Sequence, residues 1–529
     1  MITLLDYGAG NVRSVRNAIS KLGFEVRDVK SPDDISSAEK LVFPGVGSFG
    51  HAMERLRSLG YIEPLLAHIR ADKPFLGICL GLQTLFDGSE ECLGVSGLGV
   101  IPGQIKRFKD GELAVPQIGW NGIRIHKKDT PLFKGFQDEK LYFVHSFHAP
   151  LQDGNKDWVL TTTDYGEKFI SAVQKGNVAA FQFHPEKSGE AGLNLFKNFL
   201  ETDNLEAAGA ADVNPVNRTK IARRIIACLD VRSNDAGDLV VTKGDQYEVR
   251  EEGEVRNLGM PVDLAKRYYE EGADEITFLN ITGFRDFPMQ DQPMIEVLRR
   301  TSENVFVPLT IGGGIREFTD SEGKYYSALD VAAEYFRSGA DKISIGSDAV
   351  YTVEEFLDSG EKTGKSSIEQ ISNVYGAQAV VISVDPRRVY VNDPAATSHH
   401  VIKTTVPGPQ GEKYCWYQCT VKGGREGRDI DAVQLAQSCE TLGAGELLLN
   451  CIDKDGTNSG FDLELVNMVK GAVSIPVIAS SGAGCPEHFS EVFSKTKAEA
   501  ALAAGIFHRH EVEISEVKDH LREENIEPR

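Results

Sequence analysis

The second half of the sequence alternates short apolar runs with stretches of helical periodicity, and this alternation constrains the fold more than any other feature. The runs read, in order, RIIACLD, EITFLNIT, FVPLTIGGG, KISIGS, AVVISVD, ELLLNCID, IPVIASSGAG and ALAAGIF. Near-continuous Ile, Val and Leu content is typical of parallel strands that are buried on both faces. Eight strand–helix units in about 300 residues have the size of a closed barrel. We therefore predict a (β/α)8 barrel over residues 221–529.

The barrel sequence also repeats itself. GADEITFLNITG resembles GAGELLLNCIDKDG, ACLDV resembles ISVDP, and VPLTIGGGI resembles IPVIASSGAG. Such self-similarity predicts two fused halves of four strands each.

Residues 1–202 carry a different α/β pattern. Their strand-like runs, MITLLDYG, KLVFPGVG, PFLGICLG, LYFVHSF and AAFQFHPE, each end at a glycine, polar or charged corner. Residues 203–220 lose this periodicity and collect Ala, Asn, Asp, Gly and Pro, as an exposed linker does. A chain of 529 residues also exceeds the size of a single core. We predict two α/β domains, residues 1–202 and 221–529, joined by this linker.

Charge and cysteine usage restrict the partners. The chain has 57 Lys plus Arg against 78 Asp plus Glu, a formal net charge of -21, which disfavours nucleic acid and anionic membranes. It has no apolar run of about 18 residues that could span a membrane, and its N-terminus lacks the basic region of a signal peptide. The eight cysteines lack the spacing of a structural zinc site, and even Cys415 and Cys419 with His399 and His400 favour ordinary hairpin side chains. We predict a cytoplasmic protein with small-molecule substrates and no metal or other cofactor.

The run Gly77-Ile78-Cys79-Leu80-Gly81 places a cysteine between two glycines at a strand-to-helix corner. This is the pattern of a nucleophile elbow, in which small flanking residues allow a tight turn and expose the reactive side chain. A helix N-terminus behind the sulfur favours the thiolate form. The alternative is a buried cysteine beside a tight turn.

Two further segments supply partners for this cysteine. FQFHPE places His184 and Glu186 two residues apart at the end of an extended run, which suits a base and its orienting acid. FPGVGSFG supplies glycines, among them Gly47, that can aim a backbone N–H at an oxyanion. The N–H of Leu80 would be the second donor.

With these segments together, residues 1–202 resemble the class I glutamine amidotransferases, which release ammonia from the side chain of glutamine. The resemblance implies that Cys79 attacks the amide carbon, His184 moves the proton and Glu186 orients His184. It also implies that the amino-acid end of glutamine is held by Gln83, Ser146 and Phe147. We interpret His145 and His148 as packing or interface residues.

Strand ends carry the candidate chemistry of the barrel, because active sites gather there. Asp230 ends the first strand and Asp385 the fifth, so they face each other across the mouth and can divide acid and base roles. A single such Asp is often only a helix cap. The glycine-rich ends of strands three and seven, with neighbouring strand ends, predict two backbone cradles for phosphate. The cradle residues are Gly313, Gly314 and Ser347 on one side, and Ser481, Gly482, Ala504 and Gly505 on the other.

RRIIACLDV, LTIGGGI, CIDKDGTNSG and IASSGAG resemble the cyclase of histidine biosynthesis, and the whole chain resembles the fused glutaminase–cyclase family of imidazole glycerol phosphate synthases. That family has both domains in one chain and needs no separate glutaminase subunit. The resemblance implies a bisphosphate nucleotide substrate, with Asp455 as a supporting carboxylate. Lys243, in a long loop after the first strand, is either part of a lid or a surface lysine.

The sequence departs from the compact bacterial cyclases in places. Those tend to carry an acid at the position of Asn280 and an asparagine at that of Gly346, so we assign no strong role to either residue. Residues 390–425 and 317–328 resemble insertions, and their alternating pattern predicts an extra hairpin.

Arg224, Glu275, Lys342 and Glu446 precede the apolar runs of strands one, two, four and six. Such charges are usually solvated, yet two of each sign could pair as a ring. The resemblance implies that this ring admits ammonia to the barrel. We further hypothesise that the barrel ligand reorients the backbone of Gly45-Val46-Gly47 and so activates Cys79.

Three other functions fit parts of the pattern. A related sugar-phosphate isomerase would use the same barrel features but has no use for ammonia. A regulatory protein on a dead amidotransferase should lack a triad member, yet Cys79, His184 and Glu186 are all present. A different glutamine-dependent synthase is disfavoured by the repeated halves of the barrel.

Overall fold

The computed structural model describes residues 1–8, 10–109, 111, 113–127, 129–206, 219–233, 239–242, 250–251, 254–255, 258–281, 293–320 and 322–529. Most of the predicted linker, residues 207–218, lies outside the described residues, as does Lys243.

The first α/β unit is built on a mixed sheet. Its strands are β1 (Ile2–Leu4), β2 (Val26–Asp28), β3 (Leu41–Gly45), β4 (Phe75–Cys79), β5 (Phe86–Ser89), β6 (Ile101–Arg107), β7 (Gln117–Asn121), β8 (Arg124–Ile125), β9 (Leu141–His145), β10 (Phe147–Pro150), β11 (Val159–Tyr165), β12 (Glu167–Lys175) and β13 (Val178–Phe181). Its helices are α1 (Val12–Lys21), α2 (Pro32–Ser36), α3 (Phe49–Ser58), α4 (Ile62–Arg70), α5 (Leu80–Gln83) and α6 (Gly189–Glu201). The main sheet runs β2-β1-β3-β4-β13-β12-β10-β6-β5, and β7 pairs with β9 separately. β3, β4 and β13 are parallel neighbours, so their carboxyl ends share one edge of the sheet.

The second unit contains the barrel and its insertions. Its strands are β14 (Arg224–Ser233), β15 (Leu239–Thr242), β16 (Arg250–Glu251), β17 (Glu254–Val255), β18 (Glu275–Asn280), β19 (Leu309–Gly312), β20 (Phe318–Thr319), β21 (Tyr325–Tyr326), β22 (Lys342–Ile345), β23 (Val380–Val384), β24 (Pro386–Val391), β25 (Ile402–Lys403), β26 (Tyr414–Val421), β27 (Glu426–Asp431), β28 (Glu446–Asn450), β29 (Val477–Ser480) and β30 (Ala500–Ala503). Its helices are α7 (Pro261–Glu270), α8 (Pro293–Thr301), α9 (Ala328–Ser338), α10 (Ser347–Ser359), α11 (Ser367–Tyr375), α12 (Ala432–Leu442), α13 (Leu463–Lys470), α14 (Pro486–Lys495), α15 (Gly505–His508) and α16 (Ile514–Glu523).

The predicted barrel is confirmed. Each of the apolar runs forms a strand, in the order β14-β18-β19-β22-β23-β28-β29-β30, and β30 pairs back onto β14 to close the ring. Each of these neighbours pairs in parallel with the next, as strand–helix connections require. In the described residues this is the fold of a (β/α)8, or TIM, barrel.

Strand periodicity decides which side chains face the barrel interior. Ile226 and Cys228 of β14 belong to a buried cluster with residues of β23, β28, β29 and β30, and this cluster lines the interior. Because side chains alternate faces along a strand, Arg224 and Asp230 share the inward face with them. Arg224 therefore lies at the amino-terminal end of the barrel and Asp230 at the carboxyl-terminal end.

The insertion after β23 is larger than predicted. Instead of one hairpin, β24, β25, β26 and β27 form a four-stranded antiparallel sheet, because the flanking segments 386–391 and 426–431 also pair with β26. His399 stacks on Trp416 with ring centroids 3.8 Å apart. Among the described residues, no group of three or more His, Cys, Asp or Glu is arranged to hold a metal ion. The shorter insertion forms the hairpin of β20 and β21.

The first unit contacts the amino-terminal end of the barrel. Asn11 donates to Asp341 Oδ1 at 2.8 Å, and Lys187 pairs with Asp341 Oδ2 at 2.7 Å. The Trp120 indole donates to the Asp274 carbonyl at 3.1 Å. Asp274 and Asp341 directly precede β18 and β22, so both contacts are made at the base of the barrel. Within the described residues, no helix is long and apolar enough to cross a membrane.

Candidate functional sites

Cys79 lies at a sharp corner between β4 and α5. Its φ is +53°, which L residues rarely adopt. A Cβ on Gly81 would lie 2.2 Å from the Phe43 carbonyl oxygen, and one on Gly77 would lie 2.8 Å from the Gly81 oxygen. The two flanking glycines are therefore required for α5 to pack against β3 and β4, and the strained elbow follows from that packing.

His184 and Glu186 lie next to this elbow. The His184 Nδ1 donates to Glu186 Oε1 at 2.8 Å, and the ring also hydrogen-bonds the Cys79 side chain. All three residues are buried. Burial alone would lower the pKa of His184, but Glu186 and Cys79 outweigh it and hold the pKa well above its usual value. The structure thus brings the three predicted residues together in one hydrogen-bonded set.

A cavity opens in front of Cys79. It is lined by all the other residues predicted for this site, namely Gly47, Leu80, Gln83, Ser146 and Phe147, as well as by His184. The Gln83 Nε2 donates to the Phe147 carbonyl at 2.9 Å and to Gln182 Oε1 at 3.1 Å.

His145 and His148 pack in the interior. His148 stacks on Phe108 with ring centroids 4.3 Å apart, and His145 Nδ1 hydrogen-bonds the Phe147 carbonyl at 2.7 Å. Burial lowers the pKa of His145 to about 3 and that of His148 to about 4, so both rings are neutral at pH 7. This placement agrees with their interpretation as packing residues.

Sequence reasoning missed Glu91, which also lines the cavity. Its Oε2 accepts the backbone N–H of Phe49 at 2.8 Å, and burial raises its pKa to about 7. Glu91 lies in the polar run GSEECLG, where nothing in the local pattern separates a cavity residue from solvated ones. A carboxylate here suits the ammonium group of an amino acid.

The same cavity reaches the barrel. Besides Cys79, its lining includes Tyr142 from the first unit and Asp341 and Lys342 from the second. Cys79 and the base of the barrel therefore border one continuous space.

Lys342 belongs to a closed set of ion pairs with Arg224, Glu275 and Glu446. Lys342 Nζ lies 2.7 Å from Glu275 Oε1 and 2.5 Å from Glu446 Oε2. Arg224 lies 3.0 Å from Glu275 Oε2 and also pairs with Glu446. All four side chains are almost completely buried, and Arg224 and Lys342 hold the pKa of Glu446 below its usual value despite that burial. The predicted charges thus form a ring across the barrel floor.

Asp230 and Asp385 lie at the other end. Asp230 does not end its strand as predicted, because β14 continues to Ser233 by pairing with β15, whereas Asp385 directly follows β23. β14 and β23 are four strands apart in the closed ring, so the two carboxylates face each other across the mouth. Burial raises the pKa of Asp385, against hydrogen bonds from Asn450 at 2.9 Å and from Ser383. Burial raises the pKa of the Cys228 thiol, and Asp230 and Asp455 add to the rise, so both carboxylates lie near Cys228.

Close packing explains why glycines stand at the ends of strands β19 and β29. Gly313 has φ +90° and a Cβ there would lie 2.1 Å from the Asn280 oxygen, while Gly482 has φ +97° and would approach the Gly460 oxygen to 2.3 Å. Their glycine identity therefore needs no ligand. Ser347 begins α10, and its Oγ accepts the backbone N–H of Lys422 in the insertion sheet at 3.0 Å. The other predicted cradle residues, Gly314, Ser481, Ala504 and Gly505, lie at the same end of the barrel.

Comparison with known proteins matches both units. The family described as "Glutamine amidotransferase class-I" matches residues 3–202, and that described as "Histidine biosynthesis protein" matches residues 224–513. A relative from Arabidopsis thaliana is named "Imidazole glycerol phosphate synthase hisHF, chloroplastic". It is 62% identical to this chain, and the match covers 100% of this chain and 89% of the relative. The chain belongs to the hisHF imidazole glycerol phosphate synthase family.

Further relatives agree with this assignment. The hisHF protein of Emericella nidulans is 56% identical, over 99% of this chain and 97% of its own length. The HisF subunit of Methanosphaera stadtmanae is 43% identical over 58% of this chain and 98% of its own length. The HisF subunit thus corresponds to the barrel alone, whereas hisHF proteins have both domains in one chain.

Proposed function

We propose that this enzyme takes ammonia from glutamine in its first domain and uses it in the barrel to make imidazole glycerol phosphate. As the family resemblance implies, the barrel substrate is the phosphoribulosyl-formimino aminoimidazole carboxamide ribonucleotide, and the second product is aminoimidazole carboxamide ribonucleotide. The observation that carries the proposal is the single cavity that borders both Cys79 and Lys342 of the barrel ring. We keep the domain limits at 1–202 and 221–529, with the linker between them.

In the first domain, Cys79 attacks the amide carbon of glutamine and forms a thioester. His184 delivers a proton to the departing ammonia and then activates the water that hydrolyses the thioester, while Glu186 fixes its orientation through the 2.8 Å hydrogen bond. The backbone N–H groups of Gly47 and Leu80 would stabilise the oxyanion. Ser146, Phe147 and Gln83 position the substrate, and the Glu91 carboxylate binds its ammonium group.

Ammonia then enters the barrel through the ring of Arg224, Glu275, Lys342 and Glu446. A sheltered route is useful because ammonia is protonated in neutral water. The barrel interior above the ring is apolar, lined by Ile226, Cys228 and their neighbours.

At the mouth, Asp230 and Asp385 would divide acid and base roles during ring closure. Burial raises the pKa of Asp385, so the environment of this carboxylate can separate its role from that of Asp230. Asp455 supports this site beside Asp230. Backbone amides around Gly313, Gly314 and Ser347, and around Ser481, Gly482, Ala504 and Gly505, would hold the two phosphates.

One assay tests the whole proposal. Purified protein is supplied with the bisphosphate nucleotide and either glutamine or ammonium chloride, and loss of the nucleotide is followed. Cys79→Ala should abolish glutamine-dependent turnover and leave ammonium-dependent turnover unchanged. Loss of both, or retention of both, contradicts the division of labour.

The compartment belongs to the proposal as well. In the described residues all eight cysteines are free thiols, which fits a reducing compartment such as the cytoplasm. The name of the Arabidopsis relative includes "chloroplastic".

A further inference from the structure

Gln182 is a buried side chain to which the steps above give no role. It follows β13 and is completely buried. Its Nε2 donates to the Cys79 Sγ at 3.5 Å. Gln182 is not among the residues that line the glutamine cavity, whereas Cys79 is. It therefore contacts the sulfur from the protein side and leaves the substrate side open.

Neighbouring hydrogen bonds fix which end of this amide faces the sulfur. The Phe147 carbonyl can only accept, so it must receive the Nε2 group of Gln83, at 2.9 Å. That same Nε2 group then donates to Gln182 Oε1 at 3.1 Å. With its oxygen turned toward Gln83, Gln182 can present only its NH2 group to Cys79.

We propose that Gln182 stabilises the thiolate of Cys79 by donating this N–H to the sulfur. The inference rests on the proposed role of Cys79 as the nucleophile. An N–H donor interacts more strongly with a charged acceptor than with a neutral one, so it favours the thiolate over the thiol. The thiolate is the reactive form of cysteine. Because the donor reaches the sulfur from behind, it keeps this effect while glutamine is bound.

Several ionisable groups lie beside Cys79 or line its cavity, and a test must leave them in place. They are His184 and Glu186 beside it, Tyr7 after β1, and the cavity residues Glu91, His145, Lys187, Asp341 and Lys342. Gln182 is uncharged, so Gln182→Met removes the donor at similar size and changes none of these charges.

The experiment measures how fast iodoacetamide alkylates Cys79 as a function of pH, in the full-length protein without glutamine, with the modified peptide identified by mass spectrometry. Gln182→Met should move the midpoint of the pH profile up by about one unit and lower the glutamine-dependent kcat about tenfold. Ammonium-dependent turnover should not change. Gln174→Met is the matched control, since Gln174 is also buried in this domain but donates to the Leu205 carbonyl at 2.9 Å.

A second variant decides the matter if Gln182→Met does not fold. Gln182→Glu keeps the shape but places a carboxylate near the sulfur, so its midpoint should move up further than that of Gln182→Met. If a folded Gln182 variant has the wild-type pH profile, the inference is wrong. The proposed function still holds in that case, provided that Cys79→Ala has lost glutamine use. Glutamine hydrolysis that survives in Cys79→Ala would instead overturn the proposed function itself.

Discussion

At the glutaminase site, the partners of a buried residue decide its protonation. His184 is buried and yet held in its charged form by Glu186 and Cys79, whereas His145, buried without a carboxylate partner, is held neutral. The same residue type therefore has opposite protonation preferences within one cavity wall. Pairing decides the outcome, because a buried charge is costly unless a partner compensates it.

Glu91 gives a test of this reasoning through pH. Its pKa of about 7 means that the carboxylate is ionised above that pH and protonated below it. Only the ionised form attracts the ammonium group of glutamine. We expect Glu91→Gln to lower kcat/KM for glutamine about tenfold or more at pH 8, and to lower it much less at pH 6.

The measurement is the ratio of the wild-type kcat/KM to that of the variant at each pH. Taking the ratio cancels the pH dependence of the other groups, which both proteins share. Glu54→Gln serves as control, because Glu54 lies on the outer part of α3 and is exposed. A ratio that stays constant from pH 6 to pH 8 would contradict the assignment of Glu91.

Residues that lie in a local pattern could be predicted from the sequence, and residues brought in by tertiary structure could not. Cys79, His184 and Glu186 lie at strand ends with recognisable spacing. Gln182 and Glu91 reach the same site, but their roles depend on which atoms they meet after folding. A glutamine in a strand-like run and a glutamate in a polar run carry no such information.

At the scale of elements, strand periodicity predicted the barrel strands but not the full extent of the insertion. Apolar runs located all the barrel strands, and the alternation of side chains explains why Arg224, Ile226, Cys228 and Asp230 share the inward face. The insertion was underestimated because its outer strands, β24 and β27, continue directly from barrel elements and carry many polar residues. Their pairing with β26 is formed in the tertiary structure, and the periodicity of the local sequence does not predict it.

The insertion sheet is joined to the barrel by Arg388. This side chain is nearly buried and makes three hydrogen bonds to Asp462, the N-cap of α13, at 2.7, 2.9 and 3.0 Å. Arg388→Met would leave Asp462 buried with only weaker partners. We expect it to cost about 3 kcal/mol and to increase amide hydrogen exchange in β24, β26 and α13.

Arg300→Met is the matched control for that variant. Arg300 pairs with Glu296 on the exposed face of α8, where an ion pair contributes little. Unchanged exchange in the insertion of Arg388→Met would mean that the other contacts, such as the hydrogen bonds of Thr405 to Glu464, hold the sheet on the barrel.

At the scale of the whole molecule, the segment around Gly47, which we propose as an oxyanion donor, rests directly on the barrel. A Cβ on Gly47 would lie 2.8 Å from the Val374 carbonyl oxygen at the end of α11, and Ser48 donates through its N–H to that oxygen at 3.2 Å and through its Oγ to the Asn373 oxygen at 3.0 Å. A shift of α11 would therefore move the backbone beside Gly47. This contact offers a physical route for the hypothesised activation of Cys79 by the barrel ligand.

If ammonia passes through the ring across the barrel floor, as proposed above, the integrity of the ring should set how much ammonia reaches the mouth. Arg224→Met leaves Glu275 and Glu446 with Lys342 as their only cation in the ring. The unpaired carboxylate should draw water into the floor, so that ammonia is protonated or escapes before it meets the nucleotide. We expect glutamate release to exceed imidazole glycerol phosphate formation in this variant, by twofold or more, where the wild type should give equal amounts.

Both products are quantified in one reaction with glutamine as the nitrogen source. Arg224→Lys, which keeps the charge, should stay close to the wild-type ratio, and ammonium-dependent turnover reports whether the barrel is still folded. Equal product amounts from a folded Arg224→Met would place the path of ammonia elsewhere.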